Sequence, residues 1–190
     1  MGTGMILDES DLCVSCGMCC DGTYLAWAPV VETDDTTGLQ SVNHSVEFSE
    51  AGRPHFALPC PALVDKWCTV YGHRPAICPT YRCDLLNRYA AGGIAKADAL
   101  AGISDTLVAR DKVRPALYER LGVTRPTSMF TLHEDLDAER DGAADPAASR
   151  AAGSDLMADI GLLNYLLSKH FRTLPAVKNE PADGLDVTQA

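Results

Sequence analysis

Residues 13–20 read Cys13-Val-Ser-Cys16-Gly-Met-Cys19-Cys20, and residues 60–83 read Cys60-Pro-Ala-Leu-Val-Asp-Lys-Trp-Cys68-Thr-Val-Tyr-Gly-His-Arg-Pro-Ala-Ile-Cys78-Pro-Thr-Tyr-Arg-Cys83. These two stretches hold all 8 cysteines of the 190-residue chain. Two intervening residues let the chain turn back, so that successive thiolates face one centre, and Gly17 permits the tight turn while leaving backbone N–H groups free to bond sulfur. C-x2-C-x2-C is the run that supplies three ligands of a [4Fe–4S] cluster in bacterial ferredoxins. Cys19 and Cys20 are adjacent and send their side chains different ways. One of them is expected to face a second centre or the second cysteine group. The second group has no zinc-knuckle spacing of its own, so it is expected to complete the first rather than stand alone.

A chain of this length needs no crosslinks to hold a core. Its composition, 46 % hydrophobic and 22 % charged, is that of an ordinary globular protein and excludes global disorder. The N-terminus lacks the basic and apolar regions of a signal peptide, and no apolar run has the length of a membrane helix. The chain therefore reads as cytoplasmic with no membrane association, and in a reducing compartment clustered thiols are better read as metal ligands than as disulfides. The net charge of −10, with no basic run, argues against nucleic acid. Residues 1–52 contain acidic side chains but no Lys or Arg, whereas Arg53, Lys66, Arg74, Arg82 and Arg88 follow within residues 53–88. If the two stretches meet, their charges attract. Basic groups there would offset the formal charge of about −2 on a four-thiolate zinc or oxidised [4Fe–4S] site.

Outward from the cysteines, residues 1–23 read as a cysteine loop with turn-forming neighbours. Tyr24–Glu32 and His55–Leu58 read as short strands, the former at an edge because of Pro29. Residues 33–45 read as a loop. Beyond Cys83, Ala and Leu recur at helical spacing. One helix is expected over 84–91, stopping at Gly92-Gly93, a second over 94–110, and a third carrying Val113, Leu117 and Leu121 before Gly122, its start obscured by Pro115. Residues 134–153 read as a linker or frayed helix start. A last helix carries Leu156, Ile160, Leu163, Leu167 and Phe171, with Ser154 or Asp155 as its N-cap. The expected fold is α+β and mainly helical, an irregular metal-stapled N-terminal half packed on C-terminal helices. It divides a single domain into a cysteine region (13–95), a helical region (96–174) and a disordered tail (175–190).

The chain resembles the CxxCxxCC cysteine-cluster proteins, called YkgJ-like, whose shared region is described as zinc- or iron-chelating. Cys13, Cys16, Cys19 and Cys20 fill the first motif. Cys60, Pro61, Leu63, Cys68, Val70, Tyr71, Arg74, Pro75, Cys78, Tyr81 and Cys83 fall in register with the second. Pro79 stands where the family usually has Arg, a charge Arg82 can supply instead. The resemblance implies metal ligation by Cys13, Cys16, Cys19, Cys20, Cys60, Cys68, Cys78 and Cys83, with Arg74 structural or beside the ligands. A relative, the flagellin lysine N-methylase, is associated with an iron–sulfur cluster, but none of its methyl-transfer residues maps onto this chain.

The metal stays open at this point. The C-x2-C-x2-C run and the relative favour [4Fe–4S], while long loops and all-thiolate sets equally suit structural zinc. A redox pair at Cys19 and Cys20 is a minor third reading. His44, His55, His133 and His170 have no ligand spacing, and His73 is not needed beside eight thiols. Nucleotide-binding and hydrolase motifs are missing. Two classes of function remain. One is a metal-binding module that presents its centre to a protein partner or substrate. The other is an iron–sulfur-dependent enzyme or electron-transfer component.

Overall fold

The computed structural model describes residues 5–142 and 154–171. The chain begins with α1 (Met5–Cys16), followed by β1 (Trp27–Pro29), the single turn α2 (Thr37–Ser41), β2 (Glu47–Phe48) and β3 (Pro54–Ala57). A small hairpin comes next, β4 (Leu63–Val64) and β5 (Trp67–Cys68), then a 3-10 turn at Tyr71–His73 and the short α3 (Ile77–Thr80). Four longer elements complete it: α4 (Asp84–Ala90), α5 (Lys96–Leu121), α6 (Met129–Asp141) and α7 (Ser154–Phe171). The mainly helical α+β architecture is as expected. Among the described residues, no helix is long and apolar enough to cross a membrane.

Two cores of unequal size divide the chain. The larger is helical, with Ile103, Val113, Leu117, Leu132, Leu163 and Phe171 at its centre, and it also takes in Leu12 and Met18 from the first cysteine stretch. Those two apolar residues, one before Cys13 and one before Cys19, fasten the first cysteine stretch to that core. The smaller core has only Ala28, Val30, Leu39, Phe56 and Leu58 as buried members. It lies under a three-stranded antiparallel sheet of order β1-β3-β2, in which β1 is an edge strand, as Pro29 requires.

Four local expectations are corrected. Residues 5–16, read as part of a loop, are helix α1; burial of Leu12 in the helical core outweighs the polar composition of the segment. Residues 33–45, also read as a loop, contain the one-turn helix α2, whose Leu39 is buried in the smaller core. The helices expected over 94–110 and from 113 onward are one, α5, with Pro115 inside it. Ala109, Val113 and Leu117, buried along one face, carry the packing through the proline. Residues 134–141, expected as a linker or frayed helix start, are the second half of α6, which begins earlier, at Met129, and which Ser128 caps by accepting from the Thr131 N–H at 3.1 Å. The rest of that linker and the tail expected from 175 lie outside the described residues.

The helix of 84–91 and the stop at Gly122, left-handed with φ 64°, are as expected. The last helix buries Ile160, Leu163, Leu167 and Phe171. The hairpin β4–β5 escaped the sequence reading because its two turn residues, Asp65 and Lys66, take positive φ (48° and 69°) where Asn-Gly would be the usual sign.

Candidate metal centre

Helix α1 ends on Cys16, and Gly17 follows with φ 69°, donating its N–H to the Cys13 carbonyl at 2.9 Å. Cys13 and Cys16, three apart, share one helix face. The chain then wraps around Met18, whose carbonyl accepts from the N–H groups of Thr23 and Tyr24 at 3.1 and 3.0 Å. Beyond this turn Cys19 neighbours Cys16 and Cys83, whereas Cys20 neighbours Cys60 and Cys68.

The second motif reaches the first at several points. The Cys60 N–H donates to the Cys20 carbonyl at 2.8 Å, and the Leu63 N–H to the Cys60 carbonyl at 3.1 Å. Leu63 pairs with Cys68 across the hairpin. The Lys66 ammonium caps the end of α1 by donating to the Ser15 carbonyl at 3.0 Å. Arg82 pairs with Glu9 of α1 at 2.8 Å, which holds the adjacent Cys83 beside that helix. The acidic N-terminal stretch and the basic segment do meet, here and at Asp34, whose carboxylate accepts from the Val31 and Ala76 N–H groups at 2.8 Å each.

All eight cysteines are free thiols; Cys13 and Cys78 reach the surface and the other six are half-buried. Burial is the first cause of the raised pKa at Cys13, Cys16, Cys19, Cys20, Cys60, Cys78 and Cys83. It pushes Cys16 and Cys78 up to about 12 and Cys20 up to about 11, and holds Cys19 well above the ordinary range. Neighbouring thiols add to the effect. Cys16 feels Cys83 and Cys13, and Cys19 feels Cys16 and Cys83 most strongly, whereas Cys20 feels Cys60 and Cys68. Opposing groups favour ionisation. The amide of Met18 faces the Cys16 sulfur and those of Ala62 and Leu63 face Cys60. Those of Leu85 and Leu86 face Cys83 without closing a capping hydrogen bond. Arg74, stacked 3.7 Å from the Tyr71 ring centroid, acts on both Cys13 and Cys78, and Arg82 acts on Cys13.

Some supporting residues were not legible in the sequence. The Asp21 carboxylate, immediately after the thiols, is paired with Arg110 and with Arg114 (3.3 Å), and Arg114 also donates to the Asp21 carbonyl at 3.0 Å and to Thr23 Oγ1 at 2.6 Å. Both arginines lie on α5, about 90 residues away in sequence, and only the tertiary fold brings them in. Tyr81 is raised by burial first and then by Cys19, and its ring lies 6.5 Å from Tyr24, whose hydroxyl donates to the Phe171 carbonyl at 2.7 Å. An open cleft of about 350 Å³ runs past Cys60 between Leu63 and Arg114. His73 pairs with Asp35 at 3.2 Å on the surface and takes no part.

Among the described residues, no three His, Cys, Asp or Glu side chains converge tightly enough to hold a metal ion as they stand. The donor chemistry nevertheless fits a thiophilic metal: eight sulfurs gathered from two motifs, flanked by backbone amides and guanidinium groups that offset thiolate charge.

A helical scaffold carrying a half-buried gathering of thiols defines a cysteine-cluster protein. More narrowly, residues 12–97 are similar to the CxxCxxCC family, described as "Putative zinc- or iron-chelating domain". No curated protein and no solved structure matches the chain.

Proposed function

We propose that this metal-binding protein holds an iron–sulfur cluster through cysteine ligands drawn from both motifs. The observation that carries the reading is the position of Cys83, brought by the Glu9–Arg82 pair and by contact between α1 and α4 to the C-x2-C-x2-C loop. Three thiols from a tight run and one from a distant segment is a ligand arrangement of [4Fe–4S] clusters. Arg74, Arg82 and the amides at Met18, Leu85 and Leu86 would offset the charge of the loaded centre. When bound, such a cluster supplies one-electron transfer. The residues of the chain supply a partly buried ligand frame.

Structural zinc is the second reading, favoured by the small strand core. Five buried apolar residues are few to hold three strands and a hairpin in place, and a closed thiolate site would staple them.

Anaerobic purification, with iron, sulfide and zinc analysis and an absorption spectrum, separates these. A brown protein with stoichiometric iron and sulfide, absorbing at about 400 nm, is expected. A colourless protein with stoichiometric zinc overturns the iron–sulfur reading and leaves zinc. Neither metal at stoichiometric level overturns both.

A further inference from the structure

We infer that the eight thiols form two crossed centres, Cys13, Cys16, Cys19 and Cys83 in one and Cys20, Cys60, Cys68 and Cys78 in the other. The inference rests on the metal-binding reading and deepens it.

The division follows the two cores. Cys16 and Cys83 pack against the helical core, alongside Leu12 and Met18. Cys60 packs against the strand core, and so does Ile77, the neighbour of Cys78. Hydrogen bonding and pairing draw the same line. Cys20, Cys60 and Cys68 are linked by the Cys60-to-Cys20 main-chain bond and by the turn that carries Leu63, the cross-strand partner of Cys68. Cys83 belongs with the α1 thiols because Arg82 is fastened to Glu9, one turn before Cys13. Proximity among the thiols divides the same way: Cys16 and Cys19 neighbour Cys83, and Cys78 neighbours Cys20 and Cys60.

Four sulfurs is the ligand count of a tetrahedral zinc site and equally of a cubane cluster, so each set is complete in itself. Each takes three cysteines from one motif and one from the other. In two-cluster ferredoxins the fourth cysteine of the run likewise ligates the other cluster. The crossing occurs at the Cys19–Cys20 peptide, so filling either centre fixes the position of a ligand for the other. Arg74 acts on Cys13 and Cys78, one thiol of each set.

The test uses full-length protein loaded anaerobically with iron and sulfide, and in parallel with zinc alone, then treated with a thiol-alkylating reagent and mapped by mass spectrometry. The wild type is expected to protect all eight cysteines. Cys20→Ser should lose about half of the metal and expose Cys60, Cys68 and Cys78 while the other set stays protected. Cys19→Ser should do the reverse, exposing Cys13, Cys16 and Cys83. Cys78→Ser and Cys13→Ser, at the surface, repeat the two arms with the least disturbance to packing, and far-ultraviolet circular dichroism verifies that each variant is folded. Folded variants that lose protection across both sets, or at a mixture of the two, overturn the division while leaving metal binding intact. A wild type that takes up neither iron nor zinc overturns metal binding itself and the division with it.

Discussion

The Cys60 N–H donates to the Cys20 carbonyl at 2.8 Å, so the two cysteine motifs are joined through their main chains before any metal is considered. What surrounds that joint is uneven. Cys20 lies two residues beyond Met18, which is buried in the large helical core, whereas Cys60 sits between the three-stranded sheet and the β4–β5 hairpin, against a core of five buried apolar residues. Removal of metal is therefore expected to loosen the strand half first. Hydrogen exchange of the loaded protein, before and after a chelator, should lose protection over β1–β5 while α5 and α7 remain protected. Uniform loss across the chain, or no change anywhere, would count against metal as the staple of this half.

Tyr118 closes the connection between α5 and α6. Its hydroxyl accepts from the Thr127 N–H at 2.8 Å and donates to the Thr127 carbonyl at 3.2 Å, just before the Ser128 cap. Tyr118→Phe strands a half-buried amide and carbonyl and is expected to cost about 1–2 kcal/mol in urea denaturation. A variant as stable as the wild type would mean that water replaces the hydroxyl at no cost.

Legibility in the sequence followed locality. The helix at 84–91 was readable from its apolar spacing before Gly92-Gly93, the last helix from its apolar spacing after Ser154 and Asp155, and β1 was readable as an edge from Pro29. Helix α1 was not, because what stabilises it is Leu12 meeting distant α5. The eight thiols were readable as one constellation, and the divergence of Cys19 and Cys20 followed from adjacency alone. The sequence did not indicate which thiol neighbours which, since Cys83 reaches α1 through an ion pair spanning 73 positions. Arg110 and Arg114 gave no sign at all, being ordinary charges on a long helix until Asp21 is placed beside them.

His133 on α6 supplies a pH dependence remote from the thiols. Its Nε2 is buried and, among the described residues, has no hydrogen-bond partner. Burial lowers its pKa below the ordinary 6.5, against a smaller opposing effect of Asp137. Below about pH 6.5 the unfolded chain binds a proton that the folded chain resists, so stability falls as pH falls. Urea denaturation at successive pH values between about 7.5 and 5.5 should reveal this acid limb, and His133→Leu should flatten it. Identical slopes in the two proteins would assign the limb to other groups.

Asp21 is a largely buried carboxylate between two arginines of α5. It is 14 % exposed, against 13 % for Arg110 and 20 % for Arg114, so removing the carboxylate leaves the Arg114 guanidinium largely out of water without its anion and Arg110 with only the exposed Asp111, at 2.6 Å. Breaking a buried pair in this way costs about 3–5 kcal/mol, whereas Arg82→Ala, which removes a more exposed pair with Glu9, should cost less than about 1 kcal/mol. The two variants also differ in what they reach. Asp21 adjoins Cys20 and, through Arg114, ties the cysteine loop to α5, so Asp21→Ala should weaken metal retention against a competing chelator as well as lower the denaturation midpoint. Asp21→Asn keeps hydrogen-bond acceptance without the charge and should fall between Ala and wild type in both measurements. If Asp21→Ala matches Arg82→Ala in stability, the network is solvated in solution and does not hold the loop to the helices.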